Sequence, residues 1–161
     1  MARILIIAGG ERARALAREL VGEGHAARMT TPDESGRAAI EALGAECWIG
    51  TPDRLGTLRY ALDGVTIACW LLGDASGSEE QMRALHGSRL EFFAGQAIDT
   101  TVRGIVYEAA GTVPAEILTA GRALIAARAA HNAIPLAFID ADPAHASLWH
   151  EQARAAIEQL L

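Results

Sequence analysis

The 161 residues are 51% hydrophobic and 21% charged, with 5% aromatic side chains, a composition that suits one compact domain with an alanine-rich core. The formal charge of −6, without a basic cluster, excludes a sequence-independent grip on nucleic acid, which depends on Lys and Arg neutralising phosphates. All fourteen basic residues are Arg, so Schiff-base and ammonium chemistry are excluded as well.

The first strand is expected at residues 3–8, and Arg3-Ile-Leu-Ile-Ile-Ala8 runs through Gly9 and Gly10 into an amphipathic helix at 11–22. Met1 leads straight into that strand, and no apolar stretch reaches the roughly 18 to 20 residues of a membrane helix. A cytoplasmic protein with a single domain over residues 1–161 is therefore expected, with neither membrane nor nucleic acid as partner. Gly22-Glu-Gly24 closes the first helix, a strand follows at 25–30, and Thr31-Pro-Asp33 opens a helix at 33–43 with a cap and an early proline. A strand at 45–49 leads through Thr51-Pro-Asp53 to a helix at 53–62, and a strand at 65–72 leads through the polar loop Ala75-Ser-Gly-Ser-Glu-Glu80 to a helix at 78–95. Strands at 102–108 and 134–139 precede helices at 114–131 and 143–160. In the last helix Trp149, Ala153, Ala156, Ile157 and Leu160 fall at helical spacing as a core stripe.

Six successive strand and helix units predict an α/β protein: a three-layer, doubly wound Rossmann fold with a six-stranded parallel sheet in the order 3-2-1-4-5-6. That order places a crevice at the C-terminal ends of strands one and four. The turn entering it has the GxGxxG spacing on Ala8, Gly10 and Ala13, with Gly9 between, so the middle glycine is kept and Ala stands at the accepted third position. Such a turn lets a pyrophosphate approach the helix N-terminus, where free N–H groups and the helix dipole favour negative charge. Glu11 would compete with a phosphate for those groups and Arg12 would offset its charge; alternatively both belong to a solvated first turn.

Elsewhere the chemistry is sparse. Cys47 and Cys69 lie inside apolar runs and read as small buried side chains. Asp140, Asp142, His145, His150 and Glu151 resemble a ligand cluster, but His145 and His150 are five apart and miss a shared helix face, so no metal site is assigned. Glu108, near the end of an apolar strand, is expected to pair with an arginine rather than to catalyse, and Tyr107 to pack.

Beyond the first turn, Gly24-His25-Ala-Ala-Arg-Met, Leu43-Gly-Ala-Glu-Cys-Trp-Ile-Gly50, Ala61-Leu-Asp-Gly-Val65, Val102-Arg-Gly-Ile-Val-Tyr107 and Ala133-Ile-Pro135 together resemble the NAD(P)-binding domain of atypical and extended short-chain dehydrogenases/reductases. The branch resembled is that of NAD-dependent epimerase/dehydratase and NmrA-like proteins. The resemblance implies a catalytic Ser after the fifth strand and a Tyr-x-x-x-Lys pair on the next helix. By counting, those positions hold Ala109 or Ala110, Leu118 and Arg122, so no catalytic residue is assigned. NmrA-like members, by the same resemblance, bind a dinucleotide without turning it over. The family's small substrate-binding domain would follow the sixth strand, where this chain has one helix.

An NAD-selective site carries Asp or Glu at the end of strand two to hold the adenosine ribose. Here Arg28, Thr30 and Thr31 stand there, a set that tilts the choice towards NADP, with the alternative that Thr31 caps helix two. Thr51 stands where the resemblance places an Asp near the adenine, and Leu72 and Gly73 are expected to line the crevice by their backbone.

Two functional readings follow. One is a protein binding NADP or NAD, either a minimal oxidoreductase or a non-catalytic dinucleotide sensor. The other is a structural or interaction module, a homodimer that has lost the ligand, suggested by the small residues of Ala120-Gly-Arg-Ala-Leu-Ile-Ala-Ala-Arg-Ala-Ala130.

Overall fold

The apolar runs of the sequence lie side by side as six parallel strands. The computed structural model describes residues 1–161. The strands are β1 (Arg3–Ile7), β2 (Ala26–Thr31), β3 (Glu46–Ile49), β4 (Ile67–Trp70), β5 (Gly104–Glu108) and β6 (Leu136–Ile139). They hydrogen-bond in the order β3-β2-β1-β4-β5-β6, the order expected for the doubly wound fold. Ile6 of β1 pairs with Met29 of β2 on one side and with Cys69 of β4 on the other, so β1 sits at the centre.

Alternation along β1 divides the core. Ile4 and Ile6 point to one face, where they meet Leu16 and Leu20 of α1 (Glu11–Gly22), Ile40 of α2 (Arg37–Glu41), and Trp149 and Ile157 of α6 (Ala146–Leu160). Leu5 and Ile7 point to the other, towards Leu85 of α3 (Glu79–Leu85), Phe93 of α4 (Ser88–Ala97) and Ile125 of α5 (Ala115–His131). The two cores contain 23 and 21 buried residues, so the sheet is covered on both faces alike. Each fully buried Ile or Leu side chain adds roughly 1.5–3 kcal/mol to that closure. No helix is long and apolar enough to cross a membrane.

Several connections depart from the periodicity. The helix expected at 53–62 is absent: two short 3₁₀ turns, Leu55–Thr57 and Tyr60–Leu62, fill the segment. Thr57 bonds back to the carbonyls of Arg54 and Thr51, and these local bonds compete with a helical ladder. The expected helix at 33–43 shortens to a 3₁₀ turn, Glu34–Gly36, followed by α2, and its cap is Asp33, not Thr31: the Asp33 carboxylate accepts the Ser35 N–H at 2.9 Å. The helix expected at 78–95 breaks into α3 and α4 at His86 and Gly87, where a Cβ on Gly87 would collide with the Arg83 carbonyl. A capping box of Ser78 and Gln81 starts α3. The strand expected at 65–72 is trimmed to four residues, which frees Leu71, Leu72 and Gly73 for the loop above the sheet.

α5 rests on β5 with little space between them. Gly121 lies in the middle of α5 because a Cβ there would run into the Tyr107 hydroxyl of β5. Replacing an exposed helical Gly by Ala gains about 1 kcal/mol of helix propensity. At this site overpacking opposes the gain, so Gly121→Ala is expected to lower stability by about 1–3 kcal/mol in a denaturant titration.

Candidate functional site

β1 ends at Ile7, and Ala8 remains buried while Gly9 and Gly10 are exposed. Gly10 precedes α1 with φ +90° and ψ 176°, a region that side-chain-bearing residues rarely enter, and a Cβ on Gly9 or Gly10 would meet only open space. Gly10 offers no capping side chain, so the N–H groups of the first turn of α1 are left for solvent or an anion. Ala13, at the third motif position, is buried where α1 packs on the sheet. Glu11 does not cap this turn: it is turned along the helix and takes a hydrogen bond from Arg14 at 3.1 Å. Of the two expected roles for Glu11, competition for the N–H groups is not met, whereas it lies exposed in the solvated first turn.

The end of β2 differs most from the expected site. Arg28 is the third residue of its strand and lies only 9% exposed, directed away from the C-terminal end. Its guanidinium donates to the carbonyls of Ala61 at 2.6 Å and Asp63 at 2.9 Å and to Glu46 at 2.9 Å, and it stacks over Trp48. These bonds tie β2 and β3 to the turn before β4 and leave the side chain unable to reach a ribose. Thr30 and Thr31 are at the strand end but buried, and the Thr31 hydroxyl donates to the Asp33 carbonyl at 3.3 Å. Beyond them an open groove of about 550 Å³ runs between Pro32, Gly50, Thr51, Arg54 and Thr57. Thr51 borders it, its N–H donating to Thr57 Oγ1 at 2.9 Å and its hydroxyl accepting the Asp53 N–H at 3.3 Å.

On the other side of β1 the crevice floor is tightly bonded. The Gly73 N–H donates to Glu108 Oε1 at 2.6 Å, and the Trp149 indole N–H to Glu108 Oε2 at 2.5 Å. Arg12 reaches the same carboxylate at 3.5 Å and donates to Asp74 at 3.0 Å, with its guanidinium 4.9 Å from the Trp149 ring centre. The expected pairing of Glu108 with an arginine is thus met by Arg12, and the expected solvated role of Arg12 is not. Leu72 lends its carbonyl to His86 Nε2 at 3.1 Å. A carbonyl only accepts, so Nε2 carries the proton, and Nδ1 accepts the Tyr107 hydroxyl at 2.7 Å. Burial holds the His86 pKa below its usual value and that of Tyr107 above, so both stay neutral. The spacing of these two residues gave no hint of their pairing, and Tyr107 does more than pack.

The remaining candidates are dispersed. Leu118 is buried, Ala109 and Ala110 are half-buried, and Arg122 stacks on Phe138 while pairing with Asp140. Asp142 caps the Ala144 N–H at 2.9 Å, and His150 pairs with Glu19. No three His, Cys, Asp or Glu side chains converge as a metal site. Cys69 is buried, which pushes its thiol up to about 12, while Cys47 is half-buried on β3.

No family model matches the sequence, and no curated protein does. Solved structures do match. A short-chain dehydrogenase/reductase superfamily protein from Agrobacterium tumefaciens with bound NAD is 18% identical, with a TM-score of 0.69 over 84% of this chain and 48% of that one. Triphenylmethane reductase from Citrobacter sp., complexed with NADP(H), is 17% identical, with a TM-score of 0.64 over 84% of this chain and 48% of its own. UDP-glucuronic acid 4-epimerase from Bacillus cereus, with NAD, is 12% identical, with a TM-score of 0.64 over 84% and 55%. The chain therefore spans about half the length of these proteins and has their α/β Rossmann fold.

Glu108 is fully buried, and desolvation raises its carboxyl above the usual range while Trp149, Gly73 and Arg12 pull it part of the way back. An acid whose folded pKa is raised stabilises the fold fully below its unfolded value, and that contribution is lost as pH rises through the folded value. Glu108→Gln turns one acceptor into a donor facing an N–H, and should cost about 1–3 kcal/mol. Urea titrations of both proteins across pH are expected to show the gap widest in acid, narrowing as the pH rises.

Proposed function

We propose that this protein binds a nicotinamide dinucleotide at the Gly9–Gly10 turn, through the diphosphate, and acts as a non-catalytic sensor rather than a reductase. The observation that carries the reading is the open, uncapped turn itself: Gly10 holds φ +90° at the start of α1, with no side chain of the protein over it. It is supported by the structures of the same fold that hold NAD or NADP(H). A helix N-terminus of this kind supplies backbone N–H groups and a favourable dipole to a diphosphate. The groove beside Thr51 would take the adenosine, bounded by Pro32 and Gly50.

Absence of catalysis is supported by the residues at the expected catalytic positions. Ala109, Ala110 and Leu118 bear no titratable group, and Arg122 is engaged with Asp140 and Phe138. Hydride transfer would then lack a proton donor to accompany it. The burial of Arg28 also reverses the cofactor preference drawn from the sequence. The segment after β2 carries Asp33, whose carboxylate meets no cation and would repel a 2′-phosphate, while Glu34 is paired with Arg37, so NAD is the preferred form.

A second reading, the homodimer, draws on α5. Ile117, Leu118, Gly121, Ile125 and Ala129 face inwards, while Ala120, Ala123, Ala127 and Ala130 leave its outer face apolar and exposed. Light scattering of the native protein and of Ala123→Glu tests it: a dimer dispersed by the charge supports it, and a native monomer removes it.

For the dinucleotide, thermal melts with NAD, NADH, NADP and NADPH are expected to show stabilisation, larger for the NAD pair. At a hundredfold excess over Kd the gain is about 2.7 kcal/mol. Gly10→Val should abolish the shift, and no shift with any of the four at millimolar concentration would overturn the reading.

A further inference from the structure

The sheet order reverses between β1 and β4, so a ligand lying across the strand ends must pass from the α1 turn to the loops after β4 and β5. A side chain already spans that path. Arg12 leaves the first turn of α1, donates through Nη1 to Asp74 after β4 at 3.0 Å, and brings Nη2 within 3.5 Å of Glu108 at the end of β5. Both acceptors are themselves fixed. Asp74 Oδ1 accepts the Thr112 N–H at 2.8 Å, and Glu108 is held by the Gly73 N–H and the Trp149 indole. The Gly73 carbonyl accepts the Val113 N–H at 2.9 Å, and a Cβ on Gly73 or Gly111 would collide with the opposite backbone. The loops after β4 and β5 are thus zipped together, and Arg12 ties them to α1. On the other side of β1, the turn and the groove beside Thr51 are open.

We propose that Arg12, Asp74 and Glu108 form a selectivity strap, so that the site reads an adenosine diphosphate group and admits the second nucleoside of a dinucleotide only when Arg12 leaves Asp74. The inference rests on the diphosphate reading of the Gly9–Gly10 turn. The strap has one guanidinium for two carboxylates, which surround it with more negative charge than it neutralises. A diphosphate arriving at the first turn of α1 therefore competes with Asp74 for the same cation. Asp74 is the specificity-determining residue on this account, because its loss removes the hydrogen bond that ties Arg12 to the β4 loop without disturbing the turn.

The test is calorimetric titration of ADP and NAD into the native protein, Asp74→Asn and Arg12→Gln, with a thermal melt of each variant to establish folding. In the native protein the two ligands should bind within about twofold of each other, since the second nucleoside gains nothing after opening the strap. Each variant should shift the ratio towards NAD by about tenfold, the equivalent of one strong interaction. Simple charge effects predict otherwise, because ADP carries more negative charge than NAD. Removing the Asp74 carboxylate would then favour ADP, and removing the Arg12 guanidinium would favour NAD. Shifts of both variants towards NAD support the strap, whereas a shift of either towards ADP, an unmoved ratio, or native NAD binding tenfold tighter than ADP overturns it while leaving the diphosphate reading intact. Absence of binding by either ligand to all three proteins sinks both.

Discussion

Glu108 carries a carboxylate to a position with no exposed surface, and the C-terminal ends of β4 and β5 are arranged around it. A buried carboxylate is costly unless each oxygen finds a donor. One oxygen finds the Gly73 N–H from the loop after β4, and the other finds the indole of Trp149 from α6. Arg12 from α1 supplies the counter-charge. Four segments distant in sequence are therefore fixed relative to one another by a single side chain. The β4 loop comes down onto the β5 loop because Gly73 has no Cβ to keep Ala110 away. A polar network of this kind selects one arrangement among several that a hydrophobic core alone would accept.

The two sides of β1 consequently differ in character. Towards β2 and β3, the chain ends its strands in short 3₁₀ turns whose polar groups are satisfied locally, as in Asp33 with Ser35 and Thr51 with Thr57. Arg89 of α4 braces the far side through the carbonyls of Pro52 and Asp53, and the groove beside Thr51 is left open. Towards β4 and β5, side chains from one loop are satisfied by backbone from another, and the surface is closed. The Gly10 turn lies at the boundary, exposed on its outer side and bordered by Arg12 on its inner side.

Much of the fold was legible in the sequence because a buried parallel strand has an unmistakable apolar signature. All six strands, their order and the covering of both faces follow from runs such as Ile4 to Ile7 and Ile67 to Trp70. The Gly10 turn was legible for the same reason, since it sits where a strand passes into a helix. Connections were less legible. At 53–62 the spacing of Leu55, Leu58 and Leu62 suits a helix, yet the Thr57 hydroxyl captures nearby carbonyls and two isolated turns result. Arg28 was misplaced because position along a strand does not tell whether a long side chain turns towards the ligand edge or back beneath it. The bonds of Arg12 to Asp74 and of His86 to Tyr107 join residues 62 and 21 positions apart, and no local spacing encodes either.

The position of Glu108 also bears on how the titratable groups above β4 and β5 are engaged. A reductase of this fold needs titratable groups facing the reacting end of its dinucleotide, above the ends of β4 and β5. Here the titratable groups in that region face one another: Arg12 meets Asp74 and Glu108, and His86 meets Tyr107 beneath Leu72. His86 and Tyr107 are kept neutral by burial, and Asp74 and Glu108 share the guanidinium of Arg12. These side chains are thereby the means by which the crevice is closed above β4 and β5. Gly111 is then required by the fold itself, because a Cβ there would collide with the Gly73 carbonyl.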